Sequence, residues 1–185
     1  MPPPSWDWLG DPLAIDFANT THRRGMVEED FLRDGADLAS WSAWEADRVP
    51  RVSARAAAGR IAEARALRDD VKAVLRGTVD GAPLPPAAVQ RLNARTRALP
   101  VVDQLGARPG ELRHAPATRG DAVDELLARV AAAAIELVGS GRPVRFCDAP
   151  SCGGFFVPAR PNQRWCGPAC GTRARVARHA AHARG

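Results

Sequence analysis

The chain has 185 residues, 45% of them apolar, which suits one globular unit or one unit with a small satellite. That is long enough to bury a core without disulfide staples. It carries a net charge of +5, no tyrosine, five tryptophans and five phenylalanines, which argues against a broad aromatic base-stacking surface. Of 26 basic residues only Lys72 is a lysine, and alanine is abundant. That bias reads as the coding composition of a GC-rich bacterial genome, so arginine content alone is weak evidence of function. The start, Met1-Pro-Pro-Pro-Ser-Trp-Asp-Trp8, has neither the basic nor the apolar segment of a signal peptide. The most apolar run, residues 130–138, contains Glu136 and is too short to span a bilayer. A cytoplasmic protein without membrane contact is the expectation.

Charge is unevenly distributed. Residues 142–185 hold eight arginines and one acid, Asp148, for a net of +7; the whole chain is +5, so residues 1–141 carry −2. All four cysteines lie in the basic tail. Both shifts fall at Gly139-Ser-Gly-Arg-Pro143, which predicts a first domain over 1–141 and a second over 142–185.

The first domain reads as mostly helical. Asp11-Pro12 looks like an N-cap followed by proline at the first helical position, with Leu13 and Phe17 four apart. A second helix is expected over residues 36–45, with Leu38 and Trp41 inward, ending before Val49-Pro50. Ile61, Ala64, Leu67, Val71, Val74 and Leu75 form an apolar stripe that predicts one long helix over residues 53–76, with Gly77 as its C-cap. Asp69 and Asp70 are expected on its solvated side. Pro85-Pro86 opens a shorter helix to Leu99. The Pro-Gly turn at 109–110 predicts a β-hairpin within residues 100–114. Asp121 caps a last helix, with Val123, Leu126, Leu127, Val130, Ala134 and Leu137 on one face, ended by Gly139.

Polar residues follow the first helix. Asp16, Asn19, Thr20, Thr21 and His22 either cap its end and form the following turn or, beside Trp6 and Trp8, line a small-molecule pocket; the candidate lining is Trp8, Asp16, Asn19, Thr20 and His22. No G-x-S-x-G, P-loop or G-x-G-x-x-G motif is present, and no catalytic residues are expected.

The tail contains Cys147-Asp-Ala-Pro-Ser-Cys152, then thirteen residues, then Cys166-Gly-Pro-Ala-Cys170. In a reducing compartment this spacing points to a metal site rather than to two disulfides. Zn²⁺ takes four thiolates in a tetrahedron, and a Cys₄ site leaves no open position for catalysis. A module of about 40 residues is also too small to fold on apolar burial alone, whereas structural zinc supplies on the order of 10–16 kcal/mol. The expected cofactor is one structural zinc on Cys147, Cys152, Cys166 and Cys170, with Arg145, Arg164 and Arg173 offsetting the charge of the thiolates. Phe155-Phe156-Val157 suits a short strand in a hairpin returning towards Trp165, and a helix follows Pro168. Knuckle, hairpin and helix make a treble-clef-like arrangement, with the two modules expected to keep separate cores. Arg175, Arg178, His179 and His182 share one face of the last helix.

The segment from Cys147-x4-Cys152 to Gln163-Arg-Trp-Cys-Gly-Pro-Ala-Cys170-Gly-Thr-Arg-Ala-Arg175 resembles the CGNR zinc finger. Thr172 stands at the asparagine of that family's name, and residues 157–161 lack its usual acidic residue and serine. Leu13-Ala-Ile-Asp-Phe-Ala-Asn-Thr20, Asp37-Leu-Ala-Ser-Trp41, Ala64-Arg-Ala-Leu-Arg68 and Leu92-Asn93 resemble the ABATE domain, its usual companion. The resemblance implies a bacterial stress-responsive transcription regulator whose finger contacts DNA.

The fold expected is mainly α (α+β): a helical N-terminal domain with a small β-hairpin, then a treble-clef-like zinc finger ending in a basic helix. DNA is the expected partner, through Arg164, Arg173, Arg175, Arg178 and His179, since a +7 module can displace phosphate counterions and a helix can enter a major groove. A single finger reads few base pairs, so a homodimer would add specificity; a small-molecule effector would act on the first domain. The alternatives are a protein- or RNA-interaction module with a structural zinc, or a ligand-binding or enzymatic N-terminal domain.

Overall fold

The computed structural model describes residues 10–24, 27–118 and 120–182. Trp6 and Trp8 lie outside them. The helical body comprises α1 (Leu13–Ala18), α2 (Gly35–Trp44), α3 (Ala54–Ala58), α4 (Ile61–Asp80), α5 (Pro86–Ala98) and α6 (Ala122–Gly139). Two antiparallel hairpins accompany it, β1 (Thr21–Arg24) with β2 (Val27–Asp30), and β3 (Val101–Leu105) with β4 (Leu112–Pro116). The basic module follows: β5 (Arg145–Phe146), β6 (Phe155–Phe156) and α7 (Pro168–His182). The fold is mainly helical with small antiparallel strand pairs, as the sequence predicts.

Every residue of α1 is buried, so this short helix forms the centre around which the longer helices pack. Ile15 and Phe17 meet Trp41 of α2, Val71 and Leu75 of α4, and Leu126, Leu127 and Val130 of α6 in one apolar cluster. Phe17 and Trp41 stack edge to face with centroids 4.9 Å apart, an arrangement that adds about 0.5–1.5 kcal/mol to the area they bury. Asp34 caps α2 by accepting from the N–H groups of Ala36 and Asp37, and Asp121 caps α6 through Asp124 N–H. The β3–β4 hairpin lies within the span predicted for it and extends two residues beyond.

Four local expectations are corrected. The long helix is two: Ser53 caps α3, which stops at Gly59, and α4 restarts after Arg60. There the Arg60 guanidinium bonds Glu63, Asp121 and Asp124, tying the break to α6. Gly77 lies buried inside α4, and the helix ends instead at Gly81, whose φ of 62° is the left-handed conformation glycine adopts without strain. The first helix starts one residue late, with Pro12 rather than Asp11 at its N-cap. Asp70 is not solvated but buried against Arg91 on α5, at 2.5 and 2.8 Å.

The β1–β2 hairpin was not legible in its polar sequence. It is held to α4 by charge: buried Arg68 grips Asp30 through two bonds of 2.6 and 2.8 Å, and Lys72 reaches Thr21 and Glu28.

One buried carboxylate burdens this body. Asp16 of α1 is 2% exposed and accepts from Arg48 at 2.7 Å, and Arg48 also pairs with Glu45. Burial pushes the Asp16 carboxyl up to about 7, with the Arg48 hydrogen bond opposing and the Glu45 charge adding to the rise. Between about pH 4 and 7 the folded chain therefore holds a proton that the unfolded chain has released. Stability falls as pH rises through that window, by at most about 1.4 kcal/mol per pH unit. Asp16→Asn should flatten this dependence in urea denaturation at pH 5 and pH 8, by at least about 1 kcal/mol. Identical pH dependence in parent and variant would show that Asp16 stays ionised throughout.

Candidate metal centre and nucleic-acid interface

The two knuckles bring the four cysteines together. Ser151 takes φ 61°, which turns the chain back between Cys147 and Cys152, and Cys152 N–H closes the turn on Ala149 O at 3.2 Å. Pro168 opens α7 just before Cys170, which sits in its first turn. The four sulfurs lie within 4.8 Å of one another, with Cys152 to Cys166 at 3.8 Å and Cys166 to Cys170 at 3.4 Å. A tetrahedron of Zn–S bonds of roughly 2.3 Å has edges of about 3.8 Å, so the donor set fits zinc.

Proton sharing leads to the same conclusion. Hydrogen bonds from Cys152 and then Cys166 drive the Cys147 thiol far below its usual range, while the neighbouring Cys147 thiolate pushes Cys152 up to about 12 and Cys166 further up. Four sulfurs this close cannot all ionise without a cation between them. The site holds one structural zinc. Cys166 N–H donates to Cys147 Sγ at 3.3 Å, and Arg173 Nη2 donates to Cys170 Sγ at 2.9 Å, spreading thiolate charge onto the protein.

The module does not have a core of its own. Cys147, Ala149, Cys152, Phe156, Cys170 and Ala174 form a small cluster, but Val144 and Phe155 belong to the main core of the helical body. This corrects the expectation of separate cores. Nor does β6 return towards Trp165; it pairs with β5 across the first knuckle. Asn19 fastens the join. Its side-chain amide donates to Phe155 O and accepts from Phe155 N–H, both at 2.9 Å and both buried, as a paired strand would. A Cβ on Gly154 would stand 3.4 Å from Asn19 Oδ1 and 3.6 Å from Cys152 Sγ, so the latch and the metal site are one residue apart. Arg76 of α4 adds a guanidinium 3.9 Å from the centre of the Phe146 ring.

The residues proposed for a ligand pocket are distributed differently. Trp8 lies outside the described residues. Asp16 is held by Arg48, Asn19 by Phe155, and Thr20 donates to Phe17 O at 2.7 Å. His22 lies on β1, in register with Glu29. Asp16, Asn19 and Thr20 are thus buried with internal partners rather than presented together to a ligand.

The basic residues also divide. Arg173 serves the metal, Arg164 bonds Asp148 at 2.9 Å, and Arg145 braces the 160–163 loop through Gln163 O and Pro161 O. The helix α7 buries Cys170, Gly171 and Ala174 on one side and leaves Arg175, Arg178 and His179 exposed. Arg175 donates only to Thr172 on its own helix, and Arg178 stands 5.9 Å from the Trp165 ring.

The family model for ABATE, described as a putative stress-induced transcription regulator, matches residues 11–141. The chain belongs to the ABATE family. The CGNR zinc finger model matches residues 144–183 of this ABATE protein, the segment that carries the four ligands. No curated protein matches the chain. Among the described residues, no helix is long and apolar enough to cross a membrane.

Two outcomes follow for the ABATE chain. Elemental analysis should give close to one zinc per chain, and Cys166→Ser should lose it. Because Val144 and Phe155 belong to the shared core, the loss should also lower the melting temperature of the helical body, by several degrees; an unchanged body transition would mean that the cores are independent. Asn19→Ala strands the buried N–H and C=O of Phe155, at about 1–3 kcal/mol each. It should speed zinc transfer to a chelator, whereas unchanged transfer would uncouple the latch from the metal.

Proposed function

We propose that this chain is a bacterial, cytoplasmic DNA-binding transcription regulator without enzymatic activity, in which a treble-clef-like finger contacts duplex DNA and the helical body senses or interacts. The observation that carries the proposal is the exposed row Arg175, Arg178 and His179 on α7, opposite the side that packs on the metal cluster. The family description supports regulation, and the +7 charge of residues 142–185 supports a polyanionic partner. Arg164 and Arg173 have a lesser part than Arg175 and Arg178, because each already bonds a negative group. A homodimer would join two short reading helices into one longer site. A small-molecule effector has a place in the cleft of about 630 Å³ lined by Thr21, Lys72, Arg76, Phe146 and Phe155, where it would touch body and finger together.

The test is a salt titration of duplex binding by zinc-loaded parent, Arg175→Ala and Arg178→Ala. Loss of a phosphate contact should weaken all sequences alike and flatten the log–log salt slope by about 0.9. Loss of a base contact should instead cost about 1–3 kcal/mol on the preferred site only. If both variants bind as the parent does, α7 is not the reading element, and the module is one for protein or RNA interaction.

A further inference from the structure

Beside the exposed row of α7 lies a groove of about 620 Å³. Its floor is the half-buried ring of Trp165 with Pro168 and Ala159, and Arg160, Arg164 and Arg175 stand along it; no carboxylate lines it. We infer that this groove is a cradle for one strand of duplex DNA, with Arg160 as a phosphate contact that α7 does not supply. The inference rests on the DNA-binding proposal and extends it from a helix to a two-walled surface.

Two features single the groove out. Its far wall, the 159–164 loop, is braced before any partner arrives. Ala159 N–H donates to Gln163 Oε1 at 2.8 Å, Gln163 Nε2 donates to Trp165 O at 2.9 Å, and Arg145 bonds two carbonyls of the loop from behind. A braced cation loses little entropy on binding a phosphate. Secondly, charge and polarity are segregated. Arg160 is exposed, and its guanidinium has no hydrogen bond or ion pair among the described residues, while Arg175 spends one bond on Thr172. An apolar floor between cationic walls suits a sugar–phosphate chain, with deoxyribose over Trp165 and Pro168 and phosphates on Arg160 and Arg175. An acidic peptide would meet the same cations but would leave the apolar floor uncovered.

The experiment measures anisotropy of a labelled random-sequence duplex with the full zinc-loaded chain across a salt series. Arg160→Ala should lower affinity severalfold at moderate salt and flatten the slope by about 0.9. Ala159→Glu, at an exposed position, sets a carboxylate in the groove and should lower affinity more than tenfold, with zinc content equal to the parent's. If Arg175→Ala weakens binding while Arg160→Ala and Ala159→Glu match the parent, the groove is rejected and the α7 contact stands. If the parent does not bind the duplex, both fall. Competition by oligoglutamate at the same affinity as the duplex would overturn the inference and assign the groove to an acidic protein partner.

Discussion

Four sulfurs held within 4.8 Å of one another require a cation, and the C-terminal forty residues depend on that requirement. Between them β5 and β6 contribute only four residues, and the finger's own buried cluster is half cysteine. Without zinc the knuckles have no reason to face each other and α7 has nothing to start from. With zinc, the helix begins at a fixed ligand, Cys170, and its direction determines where every exposed arginine points. The metal does no chemistry here; it converts two turns and a helix into a rigid surface.

The metal alone does not position that surface against the rest of the molecule. Phe155 does so by serving two partners. Its ring fills the core of the helical body, while its backbone, next to the knuckle, is bonded on one edge by Asn19. Phe146 is covered by Arg76, so α4 and the end of α1 both touch the finger. A change in the packing of α1 or α4 therefore has a short mechanical route to the zinc. Regulation in such a chain needs no long pathway, because the sensing half and the metal module share buried residues.

Charge is handled differently in the two halves. In the helical body nearly every cation described has an acid beside it: Arg68 with Asp30, Arg91 with Asp70, Arg60 with Glu63 and Asp124, Arg48 with Asp16. These pairs pin helices and hairpin together. In the finger Asp148 is the only acid against eight arginines, so most of its cations are turned to sulfur, to backbone carbonyls or to solvent. The solvent-facing ones remain free for a polyanion.

The sequence by itself determined the parts whose cause is local. The apolar stripes of α4 and α6, the Asp34 and Asp121 caps, the Pro-Gly hairpin and the four ligands are written in spacing, because helical period, turn chemistry and thiolate coordination act over a few residues. The family was legible for the same reason, through short motifs. What tertiary structure decided were contacts between distant residues. Asn19, equally suited to a helix end or a pocket, became a latch because Phe155, 136 residues away, offers an otherwise unpaired strand edge. The polar run from Thr21 to Asp30 became a hairpin because Arg68 and Lys72 of α4 stand under it. Arg173 was taken by a thiolate, and Arg160 was left open, by the direction α7 and its neighbouring loop acquire at the metal. A charge has no period, so its partner is known only when the chain has closed around it.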